Sequence, residues 1–147
     1  MSVLTHEQLS RQIVDGAQEA IIFADREGKI RLWNAGATAI FGYSADEALG
    51  QNLDLIIPER QRKRHWEGYE KVMATGVTRY GAELLSVPAM RKDGTRISLE
   101  FSVVLVRDEA GKPTGVAAIM RDITARWQQE RAMKERLAAL VKTLQQS

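Results

Sequence analysis

Apolar residues along this chain follow two spacings, and the switches between them lay out its elements. Leu9, Ile13 and Val14 lie on one side of a helix that starts at a Thr5 N-cap and that Gly16 can end. Glu19 to Asp25 is a short, isoleucine-rich run that reads as a strand, followed by a turn at Asp25-Arg26-Glu27-Gly28. From Lys29 to Trp33 polar and apolar residues alternate, which predicts a second strand and a hairpin. The period then becomes helical. Asn34 caps a helix over Ala35 to Phe41, closed by Gly42, and Ser44 caps another over Ala45 to Leu49, closed by Gly50. Pro58 opens a longer helix from Glu59 to about Thr75, with Gly76 as its stop.

After Gly76 the alternation returns. Thr78 to Met90 reads as a strand interrupted by Gly81 and Pro88, and Arg91-Lys92-Asp93-Gly94 as a hairpin turn. In Arg96 to Arg107, Ile97, Leu99, Phe101, Val103 and Leu105 point one way, and Ser98, Glu100, Ser102 and Val104 the other. A turn from Asp108 to Pro113 leads to a last strand, Thr114 to Arg121. Asp122 or Thr124 then caps a charged helix to about Gln145, where Met133, Leu137, Leu140 and Leu144 form a coiled-coil seam. So narrow a stripe is unstable alone in water, which predicts pairing with a second copy or a partner domain. The order predicts an α+β fold: a five-stranded antiparallel sheet with short helices on one face and a small apolar pocket between them. The expected division is an N-terminal cap helix over 1–17, a core over 18–122 and a C-terminal helix over 123–147.

Composition narrows the function. The chain has 147 residues, 44% of them hydrophobic, enough for one core. Twenty-one basic against nineteen acidic side chains leave a net charge of +2, without the basic excess of a nucleic-acid binder. The one basic run, Arg60-Gln61-Arg62-Lys63-Arg64, is diluted by Glu59, Glu67 and Glu70 and reads as a solvated helix face. With no cysteine there is no disulfide scaffold, thiolate zinc site or cysteine nucleophile. The chain shows neither a signal peptide nor an apolar run long enough to span a bilayer, so the expectation is a cytoplasmic protein away from the membrane. No nucleophile elbow, P-loop or dinucleotide fingerprint occurs. Asp25, Glu27, Asp46, Glu47 and Asp93 fall at turns or caps, so no enzyme is expected.

Several motifs in a characteristic order give a resemblance. They are Trp33-Asn34, Phe41-Gly42-Tyr43-Ser44 with Glu47 and Gly50, Ile57-Pro58-Glu59, the Arg91-Lys92-Asp93-Gly94 turn, and Arg121-Asp122-Ile123-Thr124. Over roughly Gln18 to Ala125 the chain resembles the PAS family of sensor domains. The resemblance implies a module that binds a small molecule or cofactor in its core, or only dimerises. It also implies a relay through Arg121, Asp122 and Thr124 into the following helix. In that relay the Asp122 carboxylate caps the helix and pairs with Arg121 or a nearby strand residue; the plain alternative is that Asp122 only caps the helix.

The resemblance suggests which cofactors to weigh. Cysteinyl-flavin photochemistry is excluded because the reactive cysteine is missing, while non-covalent flavin is not. Counted back from the Asp93-Gly94 turn, His65 falls where heme-binding oxygen-sensor PAS domains of rhizobial histidine kinases place their proximal ligand. On the same count Lys71 and Arg79 fall at propionate contacts, and Leu85, Phe101 and Val103 line the distal side. Leu85 stands where that family has its oxygen-bonding arginine, so heme b here implies carbon monoxide, nitric oxide or redox sensing. The plain alternative is that His65 is packed or wet, and that Trp33, Phe41, Tyr69, Phe101 and Tyr80 fill a core rather than line a ligand box. His6 is expected to be exposed. The rival to sensing is a ligand-free homodimer built by the N- and C-terminal helices. Nothing after Ser147 supplies an output domain, so the expectation is either a fragment or a separate downstream signalling partner.

Overall fold

The structure, a computed structural model, describes residues 3–78 and 85–146. Its elements run α1 (His6–Gly16), β1 (Ala20–Asp25), β2 (Ile30–Trp33), α2 (Ala35–Phe41), α3 (Ala45–Ala48), a 3₁₀ turn (Leu53–Leu55), α4 (Glu59–Thr75), β3 (Leu85–Met90), β4 (Arg96–Arg107), β5 (Pro113–Asp122) and α5 (Thr124–Gln146). The strands form one antiparallel sheet in the order β2-β1-β5-β4-β3. The last strand pairs with the first, so the two hairpins share one sheet and α2 to α4 fill the connection between them. This is the α+β architecture that the pattern predicts.

Local chemistry accounts for the boundaries. Thr5 and Gln8 form a capping box at α1, and Ser44 and Glu47 form another at α3. Gly42 and Gly76 close α2 and α4 in the left-handed conformation, at φ +86° and +71°. Two expectations need correction. Thr78 lies outside any strand, the strand is described only from Leu85, and Gly81 falls outside the described residues. Pro88 does not interrupt its strand, because β3 is an edge strand and an edge tolerates the missing N–H. The 3₁₀ turn went unpredicted; the Asn52 side chain starts it by accepting the Asp54 N–H at 2.8 Å.

The core lies on one face of the sheet. Ile22, Ile30, Phe41 and Leu99 are its largest fully buried side chains. The Trp33 ring packs on Phe41 at 5.6 Å, and its indole N–H reaches Thr38 Oγ1 and the Tyr43 carbonyl, each at 3.1 Å. Beside them the buried Asn34 ties together several segments. Its Oδ1 accepts from the Ile21 and Ala37 amides at 2.9 Å. Its Nδ2 donates to the carbonyls of Val14 at 2.8 Å and Glu19 at 3.0 Å, with a longer contact to Ala17.

The terminal helices contrast with this core. α1 buries none of its residues, and Leu9 and Ile13 stay 48% and 60% exposed, so they do not pack on their own sheet. α5 also buries none, with Met133, Leu137 and Leu140 on its exposed surface.

Candidate functional site

α4 packs on β5, at the centre of the sheet. Aromatic side chains set its rotation. The Trp66 ring covers Gly28 in the β1–β2 turn, where a Cβ would lie 2.2 Å from the indole, and its Nε1 donates to Asp54 Oδ1 at 2.8 Å. Tyr69 points its hydroxyl at the Ala24 carbonyl, 3.0 Å away, and also at the Asp25 carbonyl. Successive helix residues turn by about 100°. Gln61, His65 and Val72 fall about 100–140° from Trp66 around the helix.

The inner face of the sheet is apolar and incompletely covered. Ile22, Ala118 and Val103 are in register across β1, β5 and β4, and so are Ala20, Met120 and Phe101. Ala20, Ile22 and Leu99 are sealed, at 0%, 2% and 1% exposure, but Phe101, Val103, Ala118 and Met120 are only half-buried. Phe101, Val103, Ala118 and Met120 form a half-open apolar slot on the sheet face that α4 packs against.

His65 lies on α4 beside two aromatic rings. Its ring is edge-on to Trp66 at 4.6 Å and tilted to Tyr69 at 5.8 Å. Burial lowers its pKa from the ordinary 6.5, partly opposed by the Asp54 carboxylate, so the imidazole is held neutral. Its Nδ1 is buried and has no hydrogen-bond partner. These properties fit an axial ligand to heme iron, which needs the neutral imidazole. Phe101 and Val103 lie on the inner face of the sheet, in register with Met120 and Ala118.

Of the two propionate candidates only Lys71 is among the described residues. Lys71, six residues after His65, lies about 120° away around the helix. It is exposed and lines a shallow outer groove with Glu67, Glu70 and Ala74. Arg79 and Tyr80 fall outside the described residues. Leu85 pairs with Phe101 in the ladder, and its side chain is not described. Trp33 and Phe41 fill the core instead of lining the slot. Among the described residues no group of three or more His, Cys, Asp and Glu side chains could hold a metal ion.

The relay residues meet at the sheet exit. Asp122 Oδ1 accepts the Thr124 N–H at 2.9 Å and the Thr124 hydroxyl as well. That hydroxyl in turn accepts the Ser98 N–H of β4 at 3.0 Å, and the Ile123 N–H donates to the Ser98 carbonyl at 2.8 Å. The first turn of α5 is thus an extension of the β4 ladder, reinforced by Arg126 on Glu100 at 2.6 Å. Arg121 does not pair with Asp122; it bridges to Glu19 at 3.0 Å, because neighbouring strand residues point to opposite faces. Ser98 escapes a sequence reading, since a serine in a strand carries no spacing signal.

Tyr69 yields a first expected result. Its phenol is pushed up to about 12 from 10.0, first by burial and then by the Asp25 carboxylate. The folded state therefore keeps a proton that the unfolded chain releases. This contribution is whole below about pH 10 and is lost as pH rises toward about 12, on the order of 2 kcal/mol. Urea unfolding at about pH 8 and about pH 11 should show that loss, and Tyr69→Phe should flatten it while costing about 1–2 kcal/mol at the lower pH. Equal alkaline slopes in both proteins would refute the assignment.

With this geometry in place, comparison with known proteins is informative. The PAS fold family profile matches residues 14–128, most of the chain, and the chain belongs to that family. The chain is 29% identical over 137 residues to the Sensor protein FixL of Bradyrhizobium diazoefficiens, covering 93% of this chain and 27% of that protein. It is 29% identical over 136 residues to the signal transduction histidine-protein kinase AtoS of Escherichia coli, covering 90% and 21%. It thus spans about a quarter of these relatives. Among solved structures, the PAS domain of a Colwellia psychrerythraea protein superposes with a TM-score of 0.72 at 23% identity, over 82% of this chain and 99% of that one. The chain is a PAS sensor domain of the kind carried by histidine-kinase-like signalling proteins. No helix among the described residues is long and apolar enough to cross a membrane.

Proposed function

We propose that this domain is a non-catalytic sensor and relay, which takes a small ligand in the slot beneath α4 and passes the change to α5. The observation that carries the reading is the Ser98–Thr124–Asp122 junction. It couples the start of α5 to β4, the same strand whose Phe101 and Val103 line the slot. A ligand that shifts β4 by a fraction of an ångström has no slack in which to lose that shift before α5, so it biases a two-state helix. The exposed Met133, Leu137 and Leu140 supply the output surface, pairing with the same helix of a second copy. A downstream kinase segment is the natural partner, as in the relatives.

Thr124→Val tests the relay. It keeps the side-chain volume and removes the hydroxyl that bonds Ser98. Amide exchange at Ser98 and Thr124 should speed up by about tenfold or more while the Ile22 and Leu99 amides keep their protection. Unchanged exchange at Ser98 would mean the junction is not a coupling element.

A second reading specifies heme b, favoured by the neutral, buried imidazole of His65 and by the likeness to a rhizobial sensor protein. Heme would supply an iron centre responsive to gases or redox state. His65 would hold it, with Phe101 and Val103 against its apolar face. Protein expressed with heme precursor should then show a Soret band that His65→Ala abolishes; no band after reconstitution excludes heme. The rival reading, a ligand-free dimerisation module, is supported by the exposed apolar stripes of α1 and α5. It predicts a dimer by sedimentation with an empty core by native mass spectrometry.

A further inference from the structure

The apolar seam of α5 begins partway along the helix, and charged residues hold its earlier positions. Met133, Leu137 and Leu140 are spaced by four and three residues and are 66%, 62% and 57% exposed. Continued toward the N-terminus, the same spacing falls on Glu130, Arg126 and Ile123. Two of these positions are tied to the chain's own sheet. The Ile123 N–H donates to the Ser98 carbonyl at 2.8 Å, and the Arg126 guanidinium holds the Glu100 carboxylate of β4 at 2.6 Å. Glu130 is the first seam residue beyond the sheet, 64% exposed, with its carboxylate 3.9 Å from the same Arg126. Arg126 thus stands between two carboxylates, and Glu100 has the stronger hold. Its contact is shorter, and it is only 15% exposed. The other pair runs from cation to anion along the helix, which is the weaker order.

We infer that α5 zips in parallel onto α5 of a second copy from Glu130 onward, and that Arg126 gates the zipper by exchanging its own Glu100 for the partner's Glu130. This rests on the reading that α5 pairs with a second copy, and it adds the register and what controls it. In a parallel pair with this spacing, Glu130 faces its twin, and two like charges in the seam oppose closure. The hole that receives Glu130 is built by positions 126, 129, 130 and 133 of the facing helix. Gln129 and Met133 are uncharged, so the partner's Arg126 is the cation that can neutralise the layer. Arg131 is engaged on its own helix, with Glu135 at 3.3 Å and over the Trp127 ring at 5.3 Å. The flanks admit the register: Gln129 lies by the partner's Lys134 and Arg136 by the partner's Val141, so no like charges meet there. Glu100 adjoins Phe101 of the slot on β4. A shift of β4 that loosens Glu100 therefore frees Arg126 for the seam.

Sedimentation of the full chain over a concentration series reads the dimer Kd. Glu100→Gln keeps the shape, removes the competing charge and should tighten the dimer by about threefold or more, since two such pairs exchange in each dimer. Arg126→Gln leaves the Glu130 layer bare and should weaken it by about threefold or more. Glu130→Leu completes the seam and should tighten it by about tenfold or more. In that background Glu100→Gln should have no further effect, because Arg126 no longer has a place in the seam. A structural role of the Arg126–Glu100 contact alone would not produce this cancellation. If the dimer forms but Glu100→Gln weakens it or leaves it unchanged, the gate does not exist and the pairing reading stands. If every variant stays monomeric, Glu130→Leu included, the pairing itself fails. The register has its own check, because the chain has no cysteine. Glu130→Cys should link two copies on mild oxidation; a dimer that does not link at that position is antiparallel or offset, and overturns the inference.

Discussion

Asn34→Asp should cost about 4 kcal/mol or more, much of the stability of a domain this size. The substitution is nearly isosteric, so shape cannot account for the effect. The Asn34 amide nitrogen faces the carbonyl oxygens of Val14 and Glu19 at 2.8 and 3.0 Å, with that of Ala17 beyond. An aspartate would aim a carboxylate oxygen at those acceptors, at a position only 3% exposed. Repulsion and desolvation add to the lost bonds, each worth about 1–3 kcal/mol when the partner is left buried. Only Oδ1, which accepts from Ile21 and Ala37, would keep its partners. The folded state would raise the pKa of the new carboxyl, because a protonated oxygen can donate again to one carbonyl. Stability should therefore recover in part as pH falls from above the ordinary carboxylate range down into it. Urea unfolding of Asn34→Asp and Asn34→Ala over that range checks both points. Alanine should cost less, about 3 kcal/mol, and show no such recovery. A loss under about 1 kcal/mol for aspartate would mean that Asn34 is only the cap of α2.

Gly36→Ala should destabilise by about 3 kcal/mol, against the sign of helix propensity. Within a helix, alanine is favoured over glycine by about 1 kcal/mol, and Gly36 is in α2 with no unusual φ. Packing reverses this. A Cβ at Gly36 would lie 2.1 Å from the Glu19 carbonyl oxygen, 2.5 Å from its carbon and 2.6 Å from the Gln18 oxygen. All three are backbone atoms, so no side chain can swing aside. α2 would have to lift off the entry to β1 and pull on the Asn34 bonds as it went. Thermal unfolding separates the alternatives by sign: a stabilised Gly36→Ala would mean that α2 does not approach β1 as closely as described.

Much of the fold is legible without coordinates, because its signals are local. Ala35–Phe41, Glu59–Thr75 and Arg96–Arg107 are predicted at their observed bounds, since capping residues, left-handed glycines and clean alternation act within a few positions of the chain. The family is legible for the same reason, through short motifs in order. Errors come where distance along the chain matters. Pro88 reads as an interruption until β3 is known to be an edge strand. Arg121 has no visible partner until β5 lies beside β1 and brings Glu19 to it.

The candidate site residues divide in the same way. His65, Phe101, Val103, Asp122 and Thr124 are candidates through the family resemblance. The sequence by itself determined the α+β order, the capped helices, the exclusion of cysteine chemistry and the membership of the sensor family. Only the tertiary structure decided that Asn34 joins α1, β1 and α2, and that Thr124 bonds back to Ser98 on β4. The reason is physical. Helix and turn signals depend on neighbours a few residues away, whereas hydrogen-bond satisfaction and exposure depend on which strands lie side by side. In this sheet the central neighbours β1 and β5 are separated by most of the chain.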